Sequence, residues 1–427
     1  MNRDQTRRRR LAPGGVWRSP VFLRLWSASV VSSLGTSVTT LALPLLAALT
    51  LHATPVQMGL LAAAETSPIL IFGLMAGVWL DRRAKRPVMV ITDLGRAVLL
   101  LLIPLGGWLG FLSLELLLAV AFLVGVLSVF FEIASQSFLP TVLDGDALME
   151  GNARLHTGYG IAEVGGPGLA GWLTHALSAP LAILIDAVSY VLSAGLLRGI
   201  HADEAPRVFA EDGQQPHFWR ELGEGLTIVI QNPVLRATAL ATGVWNLIDG
   251  TRGAVLILFL TGTLDLDAVT IGAVFTAGAV GYLLGSLAPE RLARRIGLGH
   301  AILLGIVTAV PVALLTALAG GPPPVAAAMA GAGFFLNGLT VPTYDVNQFS
   351  LRQAVTPLRL QGRVNATMRT LIRGTVPLGA LLGGILSVWL GLRGVMLFAA
   401  LGAPAAFLAI WFSPVRLLIT MPTRMEE

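Results

Sequence analysis

The chain has 427 residues, of which 55% are hydrophobic and only 12% are charged, about half the charged share of an average soluble domain. It contains no cysteine, which excludes disulfide bonds, thiolate zinc sites, iron–sulfur clusters and a cysteine nucleophile. Its formal net charge is +5, but the basic residues stand at the ends of apolar stretches rather than in one patch, so we do not expect nucleic-acid binding.

The chain begins with a basic segment, MNRDQTRRRR, that lacks the apolar run and small-residue cleavage site of a signal peptide. We interpret residues 1–20 as a cytosolic tail. Apolar stretches follow, each long enough to cross the roughly 30 Å of a bilayer's hydrocarbon as a helix. The predicted spans are 21–50, 56–80, 87–110, 114–137, 152–175, 180–198, 234–260, 269–289, 299–319, 324–348, 364–390 and 393–413.

A long hydrophilic segment, 199–232, divides these spans into a first half, residues 21–198, and a second half, residues 233–413, with a cytosolic tail at 414–427. Around Phe218–Ile230 this segment has the pattern of an amphipathic helix that lies on a membrane surface. The sequence therefore predicts an all-α membrane protein with twelve transmembrane helices in two pseudo-symmetric bundles of six.

Alternate loops between the spans differ in their basic residues. One set contains arginine clusters, at Arg82–Arg86, Arg291–Arg295 and Arg352–Arg363, whereas the intervening loops contain almost none. Because loops rich in basic residues stay in the cytoplasm, we expect both termini and the segment 199–232 to be cytoplasmic, with the protein in the inner membrane.

The two halves also resemble each other in sequence. The second span with its loop (MGLLAAAETSPILIFGLMAGVWLDRRAKR, from Met58) and the eighth (IGAVFTAGAVGYLLGSLAPERLARRIG, from Ile271) have glycines, small residues and a terminal basic cluster at similar offsets. Two related halves are typical of transporters that rock about a substrate cavity near the bilayer midplane. The alternative interpretation is a chance likeness between transmembrane hairpins.

The segment GVWLDRRAKR combines Gly77, the acid–base pair Asp81 and Arg82, and a basic cluster that ends at Arg86. It resembles the loop motif of the major facilitator superfamily between the second and third helices, although Ala84 replaces the usual glycine. The resemblance implies that superfamily's fold and a transport function.

The fifth span resembles the antiporter motif of the same superfamily. Gly166, Pro167 and Gly171 match this motif, whereas Ala162 and Ala170 replace two of its glycines. Proline interrupts the helical hydrogen bonds and glycine lets helices approach closely. The functional interpretation is a bend that prevents leakage, and the alternative is ordinary glycine packing.

Four further sequence segments resemble those of the multidrug and siderophore exporter branch, which includes enterobactin-exporter-like and macrolide-efflux-like proteins. They are DLGR at Asp93–Arg96, FFE at Phe130–Glu132, LIDA at Leu184–Ala187 and GRVNAT at Gly362–Thr367. The resemblance covers essentially the whole chain and leaves the substrate unspecified.

The loop motif has a physical interpretation as a latch. Asp81 follows the cytoplasmic end of the second helix, where it could accept hydrogen bonds from a helix N-terminus in the other half. We expect Arg82 and Arg86 to pair with acids such as Asp93, and Asp93 to form a structural or gating pair with Arg96. The alternative for the basic residues is membrane topology alone.

Carboxylates inside predicted spans are candidates for proton coupling, because a charge in hydrocarbon is costly. Glu65 lies about nine residues into the second span and Glu163 about eleven into the fifth, so both fall near the midplane. A buried carboxyl group can bind and release a proton near neutral pH. The alternative for either residue is a structural hydrogen bond to a neighbouring helix.

Two arginine-containing groups lie in the second half. Asp249 and Arg252 are three residues apart, so we predict an ion pair. The alternative is a switch, with Asp249 as a third proton-coupling candidate whose protonation frees Arg252 for an anionic substrate in the cavity. Arg373 could face the cavity. For Arg369, four residues earlier, we favour snorkelling or a pair with Asp345 over a place in the cavity.

Three further residues complete the candidates. Asp186 lies about six residues into the sixth span, and we interpret it as a packing or gating residue rather than a proton carrier. Glu132, near the cytoplasmic end of the fourth span, is expected to cap or pair there. Trp245 lies deep enough in the seventh span to line a cavity.

These observations favour a secondary transporter that exports a small amphipathic molecule by proton antiport. Lys85, the only lysine, does not stand in a Walker A motif, so we expect neither nucleotide nor another cofactor. The expected partners are a small-molecule substrate, protons and the lipid bilayer, with the protein a monomer. The alternatives are facilitated uptake of a nutrient and, in another class, a membrane-embedded lipid-modifying enzyme.

Overall fold

The computed structural model describes residues 15–81, 83–143, 145–200, 218–357 and 360–422, and within these ranges its regular structure is entirely helical. A short 3-10 helix, Val16–Arg18, precedes the first long helix. The six helices of the first half are α1 (Pro20–Leu49), α2 (Pro55–Asp81), α3 (Lys85–Leu109), α4 (Leu114–Val142), α5 (Gly145–Leu177) and α6 (Ala179–Arg198).

The segment 199–232 ends in a helix that was expected from its amphipathic pattern, and the second half follows it. The elements are α7 (Phe218–Gln231), α8 (Pro233–Leu258) with a π-helical turn (Phe259–Thr263), α9 (Ala268–Gly285), α10 (Pro289–Ile296), α11 (Leu298–Val307), α12 (Ala309–Ala317), α13 (Pro323–Ala354), α14 (Gln361–Arg373), α15 (Thr375–Gly402), α16 (Pro404–Trp411) and a 3-10 turn (Pro414–Leu417). The ninth predicted span comprises α11 and α12, and the eleventh begins with α14.

Local sequence signals determine where several helices begin. The Ser19 hydroxyl accepts a hydrogen bond from the Phe22 amide, and Pro20 occupies the first turn, where its missing amide proton has no cost. Asn232 caps α8 in the same way before Pro233. Polar caps and prolines therefore place the helix starts close to the predicted boundaries.

The fold class expected from the sequence is confirmed. Ten described helical stretches are long and apolar enough to cross a membrane. The glycine-rich α5 is not among them, although it has 33 residues. The last stretch, Thr367–Trp411, reverses at Gly391, whose φ of 68° is not helical. Counting α5 and dividing that stretch at Gly391 gives the twelve segments predicted.

Each half has its own packing, and the two most extensive contacts between the halves are those of α5 with α9 and of α2 with α15. Within the first half α1 packs against α5 and α6, α3 against α4 and α6, and α2 against α4. Within the second half α8 packs against α15 and α9 against α13. Across the halves α5 meets α9, and α2 meets α15.

The contact between α5 and α9 is made by backbone atoms. A Cβ atom on Gly171 would overlap the carbonyl oxygen of Ala268 and lie 3.0 Å from the Cα of Gly272. A Cβ on Gly272 would lie 2.6 Å from the carbonyl oxygen of Pro167. Only glycine fits at either position without a shift of the opposite backbone, so the two helices touch at van der Waals distance.

The contact between α2 and α15 repeats this arrangement. A Cβ on Gly59 would lie 2.6 Å from the Ala380 carbonyl oxygen, and one on Gly384 would lie 3.0 Å from the Pro55 carbonyl oxygen. In all four cases the obstructing carbonyl belongs to the residue four positions before the partner glycine. The two glycine seams, Gly171/Gly272 and Gly59/Gly384, are therefore related by the pseudo-symmetry of the halves.

Both seams lie toward the same side of the bundle. Gly59 and Gly272 stand near the first residues of α2 and α9, far from the helix ends that carry Arg83 and the α10 arginines. We call the side with these basic residues the arginine-rich side. The glycine seams thus close the interface between the halves at the opposite side.

The C-terminal segment packs against the start of α11. The Leu298 amide donates to the Ile419 carbonyl at 3.1 Å, and the Gly299 amide donates to the Leu418 carbonyl at 2.8 Å. Val415 is fully buried beside them. These bonds satisfy two of the amides that a helix N-terminus leaves without internal partners.

Candidate functional site

A cavity of about 530 Å³ lies between the two halves. Most of its wall comes from α1, α2, α4 and α6, and Asn246, Arg373 and Val376 complete it from the second half. The wall combines aliphatic side chains with threonine hydroxyls and the acids Glu65, Glu132 and Asp186. This mixture suits an amphipathic small molecule.

Glu65 faces this cavity from the middle of α2. The approach of α4 positions it: a Cβ on Gly125 would lie 2.9 Å from the Glu65 carbonyl oxygen and 2.8 Å from Cγ of Pro68. Pro68 interrupts the hydrogen bonding of α2 one turn away. Glycine on one helix and proline on the other therefore bring the Glu65 backbone against α4, while its partly buried side chain lines the cavity.

An ion pair spans the two halves at the end of the cavity nearer the arginine-rich side. Arg369 Nη2 donates to Glu132 Oε1 at 2.8 Å, and Arg373 Nη1 lies 4.0 Å from Glu132 Oε2. The prediction that Arg369 pairs with Asp345 is wrong. Arg369 bonds to Glu132 instead, and Asp345 lines a separate pocket within the second half. Glu132 does form a pair, as expected, and its partner belongs to the other half.

Asp186 lies at the cavity wall and is fully buried. The Thr39 hydroxyl donates to its Oδ2 at 2.5 Å, and the Ser189 hydroxyl donates to its Oδ1 at 3.1 Å. The neighbouring Tyr190 hydroxyl shares a hydrogen bond with Thr36 at 2.9 Å. Depth along one helix did not reveal that the face of Asp186 borders the cavity, and its interpretation as a packing or gating residue stays a prediction.

The predicted ion pair of Asp93 and Arg96 forms behind this wall. Both side chains are buried, and Arg96 Nη2 donates to Asp93 Oδ1. The guanidinium lies between two rings, with its carbon 4.3 Å from the centroid of Phe131 and 4.1 Å from that of Tyr190. One feature of the sequence could have indicated that Asp186 belongs to this cluster. The spacing of Asp186, Ser189 and Tyr190 places all three on one helical face.

The structure describes only part of the loop motif. A Cβ on Gly77 would meet no atom of the described residues within 4 Å, so close packing against them does not explain this glycine. Arg86 does not pair with Asp93: its Nε donates to the Leu197 carbonyl at 3.0 Å, at the end of α6. The Asp81 side chain and Arg82 lie outside the described residues, and the latch predicted for them stays a prediction.

Two proton-coupling candidates lie apart from the cavity. Glu163 is exposed on α5. In the second half the predicted ion pair of Asp249 and Arg252 forms, with Arg252 Nη2 at 2.8 Å from Asp249 Oδ1 and the Asp249 side chain 53% exposed. Trp245 lines two small pockets of the second half, one of them with this ion pair, and not the cavity between the halves.

The antiporter-like motif lies at two close helix contacts. A Cβ on Gly166 would overlap the Cβ of Ser37, so α5 meets α1 at this residue. One turn later the Pro167 carbonyl and Gly171 face α9 in the glycine seam. The motif therefore positions α5 against both halves.

Known membrane transporters are similar to this chain over most of its length. A family model described as Major Facilitator Superfamily matches residues 25–372. The chain is 27% identical over 408 residues to the multidrug efflux pump Tap of Mycolicibacterium fortuitum, covering 92% of this chain and 95% of Tap. It is 26% identical over 376 residues to an uncharacterized MFS-type transporter, y4rN, of Sinorhizobium fredii, covering 86% and 88% of the two chains.

Solved structures share the fold at low sequence identity. The nucleoside transporter NupG superposes with a TM-score of 0.71 at 14% identity, covering 92% of this chain and 99% of NupG. A bacterial homologue of the iron transporter ferroportin, in an inward-facing state, gives a TM-score of 0.70 at 18% identity, with 91% and 98% coverage.

Proposed function

Because the chain belongs to the Major Facilitator Superfamily and is a multi-pass membrane protein, we propose that it is a secondary transporter that exports a small amphipathic molecule by proton antiport. The observation that carries this proposal is the cavity of about 530 Å³ between the halves, with mainly aliphatic walls and a few acids and hydroxyls. The likeness to Tap along most of both chains favours export over uptake.

Alternating access requires that the halves separate on one side at a time. The two glycine seams keep the halves together at the side opposite the arginines, whereas the Glu132–Arg369 ion pair is the polar contact at the other end of the cavity. With the arginine-rich side in the cytoplasm, as the positive-inside rule favours, both termini are cytoplasmic and substrate enters the cavity from there. The cavity lies within one chain, which suits a monomer.

We place a coupling proton on Glu65 rather than on Glu163 or Asp249. A carboxyl group that alternates between dry and hydrated surroundings binds and releases a proton as the protein changes state. Glu65 borders the cavity without an ion-pair partner among the described side chains, whereas Asp249 is held by Arg252 and Glu163 is exposed.

Inverted membrane vesicles from an efflux-deficient host that expresses the full chain test the proposal. Ethidium, a fluorescent amphipathic cation, is expected to accumulate in them when a pH gradient is imposed, and to accumulate less when the gradient is collapsed. A susceptibility screen with drugs and siderophores in intact cells then ranks substrates.

Glu65→Gln is expected to abolish the dependence on the pH gradient. Glu115→Gln, which removes an exposed carboxyl group at the start of α4, is the matched control and should leave it unchanged. Export is refuted if cells that express the chain take up more of every probe than cells without it, because that result identifies an uptake system.

A further inference from the structure

The surroundings of Asp186 differ from those of every other described carboxyl group that lines the cavity. It is 0% exposed, and its two oxygens accept hydrogen bonds from the hydroxyls of Thr39 and Ser189. A Cβ on Gly35 would overlap Asp186 Oδ1, so the glycine leaves just enough room for the carboxyl group against α1. Burial of a carboxyl group without a direct cation is costly when the group is charged.

The charged groups around Asp186 come from its own helix and from the helices that pack against it. Helix α6 packs against α1, α3 and α5. Helix α3 presents Asp93 and Arg96, α6 itself presents Tyr190, and α1 contributes the Thr39 hydroxyl. Among the described side chains of α5, no charged group acts on Asp186. The cluster therefore contains two carboxyl groups and one permanent cation.

The hydrogen-bond partners distinguish the two carboxyl groups. Arg96 is a permanent cation that only donates, so its bond to Asp93 favours the ionised form of that group. The Phe131 and Tyr190 rings cover both faces of the guanidinium, which keeps its edge directed at Asp93. Arg96 is therefore already engaged by one carboxylate.

Hydroxyl partners, in contrast, tolerate both protonation states. Thr39 and Ser189 can donate to an ionised carboxylate, and either can accept from a protonated one after rotation of its own O–H bond. Asp186 can thus gain or lose a proton without leaving a buried hydrogen-bonding group unpaired.

We infer that Asp186 is a proton-binding site of the transporter, next to the fixed ion pair of Asp93 and Arg96. The proton comes from water in the cavity, and the same carboxyl group returns it to water when the cavity opens to the other side. Arg96 is a positioning residue, because its charge acts on Asp186 through space while it stays bonded to Asp93. Use of this proton in export rests on the proposed function, whereas binding of the proton does not.

Infrared difference spectra of the purified full chain in lipid, recorded between acidic and alkaline pH, test the assignment. Protonated carboxyl groups have a C=O stretching band of their own. We expect Asp186→Asn to remove one titrating component, and Glu65→Gln to remove a different one. An unchanged band in a folded Asp186→Asn variant would overturn the inference.

Two further variants keep the test decisive if Asp186→Asn does not fold. Thr39→Val retains the carboxyl group but removes one hydrogen bond, so the Asp186 component should shift to higher wavenumber. Ser128→Ala alters another hydroxyl that lines the cavity and lies 3.5 Å from Arg96, and it should leave the component in place. An equal response to both variants would assign the band to another residue.

Transport measurements separate the two proposals. If the infrared component belongs to Asp186 and Asp186→Asn also loses pH-driven accumulation of ethidium, both proposals are supported. If the component belongs to Asp186 but no pH gradient drives ethidium in any variant, the proton site stands and proton-coupled export of this probe is rejected.

Discussion

Glu132 on α4 accepts a hydrogen bond from Arg369 on α14 at 2.8 Å, so an ion pair joins the two halves across the arginine-rich end of the cavity. The side chains are 40% and 34% exposed, and water screens their attraction. A pair of this kind stabilises a contact by at most about 1 kcal/mol, which allows it to break in each transport cycle. It is a reversible closure, unlike the backbone contacts of the glycine seams.

Loss of this ion pair is expected to open the cavity on the arginine-rich side. Since the chain has no cysteine, a single Ser128→Cys reports accessibility to a membrane-impermeant maleimide without background. Glu132→Gln should raise its labelling rate by up to about fivefold, and the charge exchange Glu132→Arg with Arg369→Glu should restore it. Arg294→Gln, which breaks an exposed pair with Glu290 in α10, is the control and should have no effect.

Substitution in a glycine seam is expected to prevent the halves from closing at the seam, on the side opposite the arginine-rich side. Gly171→Leu would force its side chain into the Ala268 carbonyl and the Gly272 backbone, and overpacking of this kind costs about 1–3 kcal/mol. A cysteine at Leu43 in the cavity wall should then be labelled from that side, and export should fall by about tenfold or more. Gly165→Leu on the same helix, where a Cβ meets nothing within 4 Å in the described part of the chain, should behave as wild type.

The pair of Asp249 and Arg252 is expected to contribute little to coupling. Asp249 is half exposed, and its hydrogen bonds lie within one helix. Asp249→Asn should therefore keep ethidium transport within about twofold of wild type, because exposed pairs at this spacing stabilise a helix only weakly. Transport that depends on Asp249 as strongly as on Glu65 would contradict our placement of the coupling proton.

Asp267 is expected to make the start of α9 sensitive to acid. Its side chain accepts a hydrogen bond from the Thr270 amide at 2.8 Å, and this contact with Thr270 lowers the pKa of Asp267 below its ordinary value. The cap therefore contributes fully above the pKa of an unfolded aspartate, and its contribution is lost as the pH falls through the lower folded value.

Asp267→Asn should remove most of this dependence on acid, and Asp267→Ala should cost about 0.5–2 kcal/mol of helix stability. Thermal unfolding in detergent at several pH values measures both effects. Asp265→Asn is the control, since Asp265 has a positive φ of 53°, which asparagine also adopts. An equal response of the two positions would show that loop charge, not the cap, is responsible.

Contacts within one helix could be predicted from the sequence, and contacts between helices could not. The spacing of Asp93 with Arg96, and of Asp249 with Arg252, was sufficient to predict both ion pairs. Arg369 had no such neighbour, so its partner depended on how α14 and α4 are rotated about their own axes. Transmembrane helices are hydrophobic on almost every face, and their hydrophobic pattern does not specify this rotation.

The same limitation applies to the candidate acids. Glu65 and Glu163 were equivalent by depth, yet one faces the cavity and the other is exposed. Asp186 was interpreted as a packing or gating residue because it lies only about six residues into its span. The glycine of the antiporter-like motif was recognised, but its partner Gly272 and the matching pair Gly59/Gly384 became visible only with both halves in place.

The bonds from Leu298 and Gly299 to Leu418 and Ile419 have a consequence for biogenesis. During translation the ribosome makes the start of α11 long before the segment that satisfies its first amides. Until the ribosome has made that segment, the two amides lack these carbonyl partners, and the second half cannot reach its final packing. Premature termination before Pro414 is therefore expected to leave a bundle that quality-control proteases recognise, even though every membrane crossing has already been inserted.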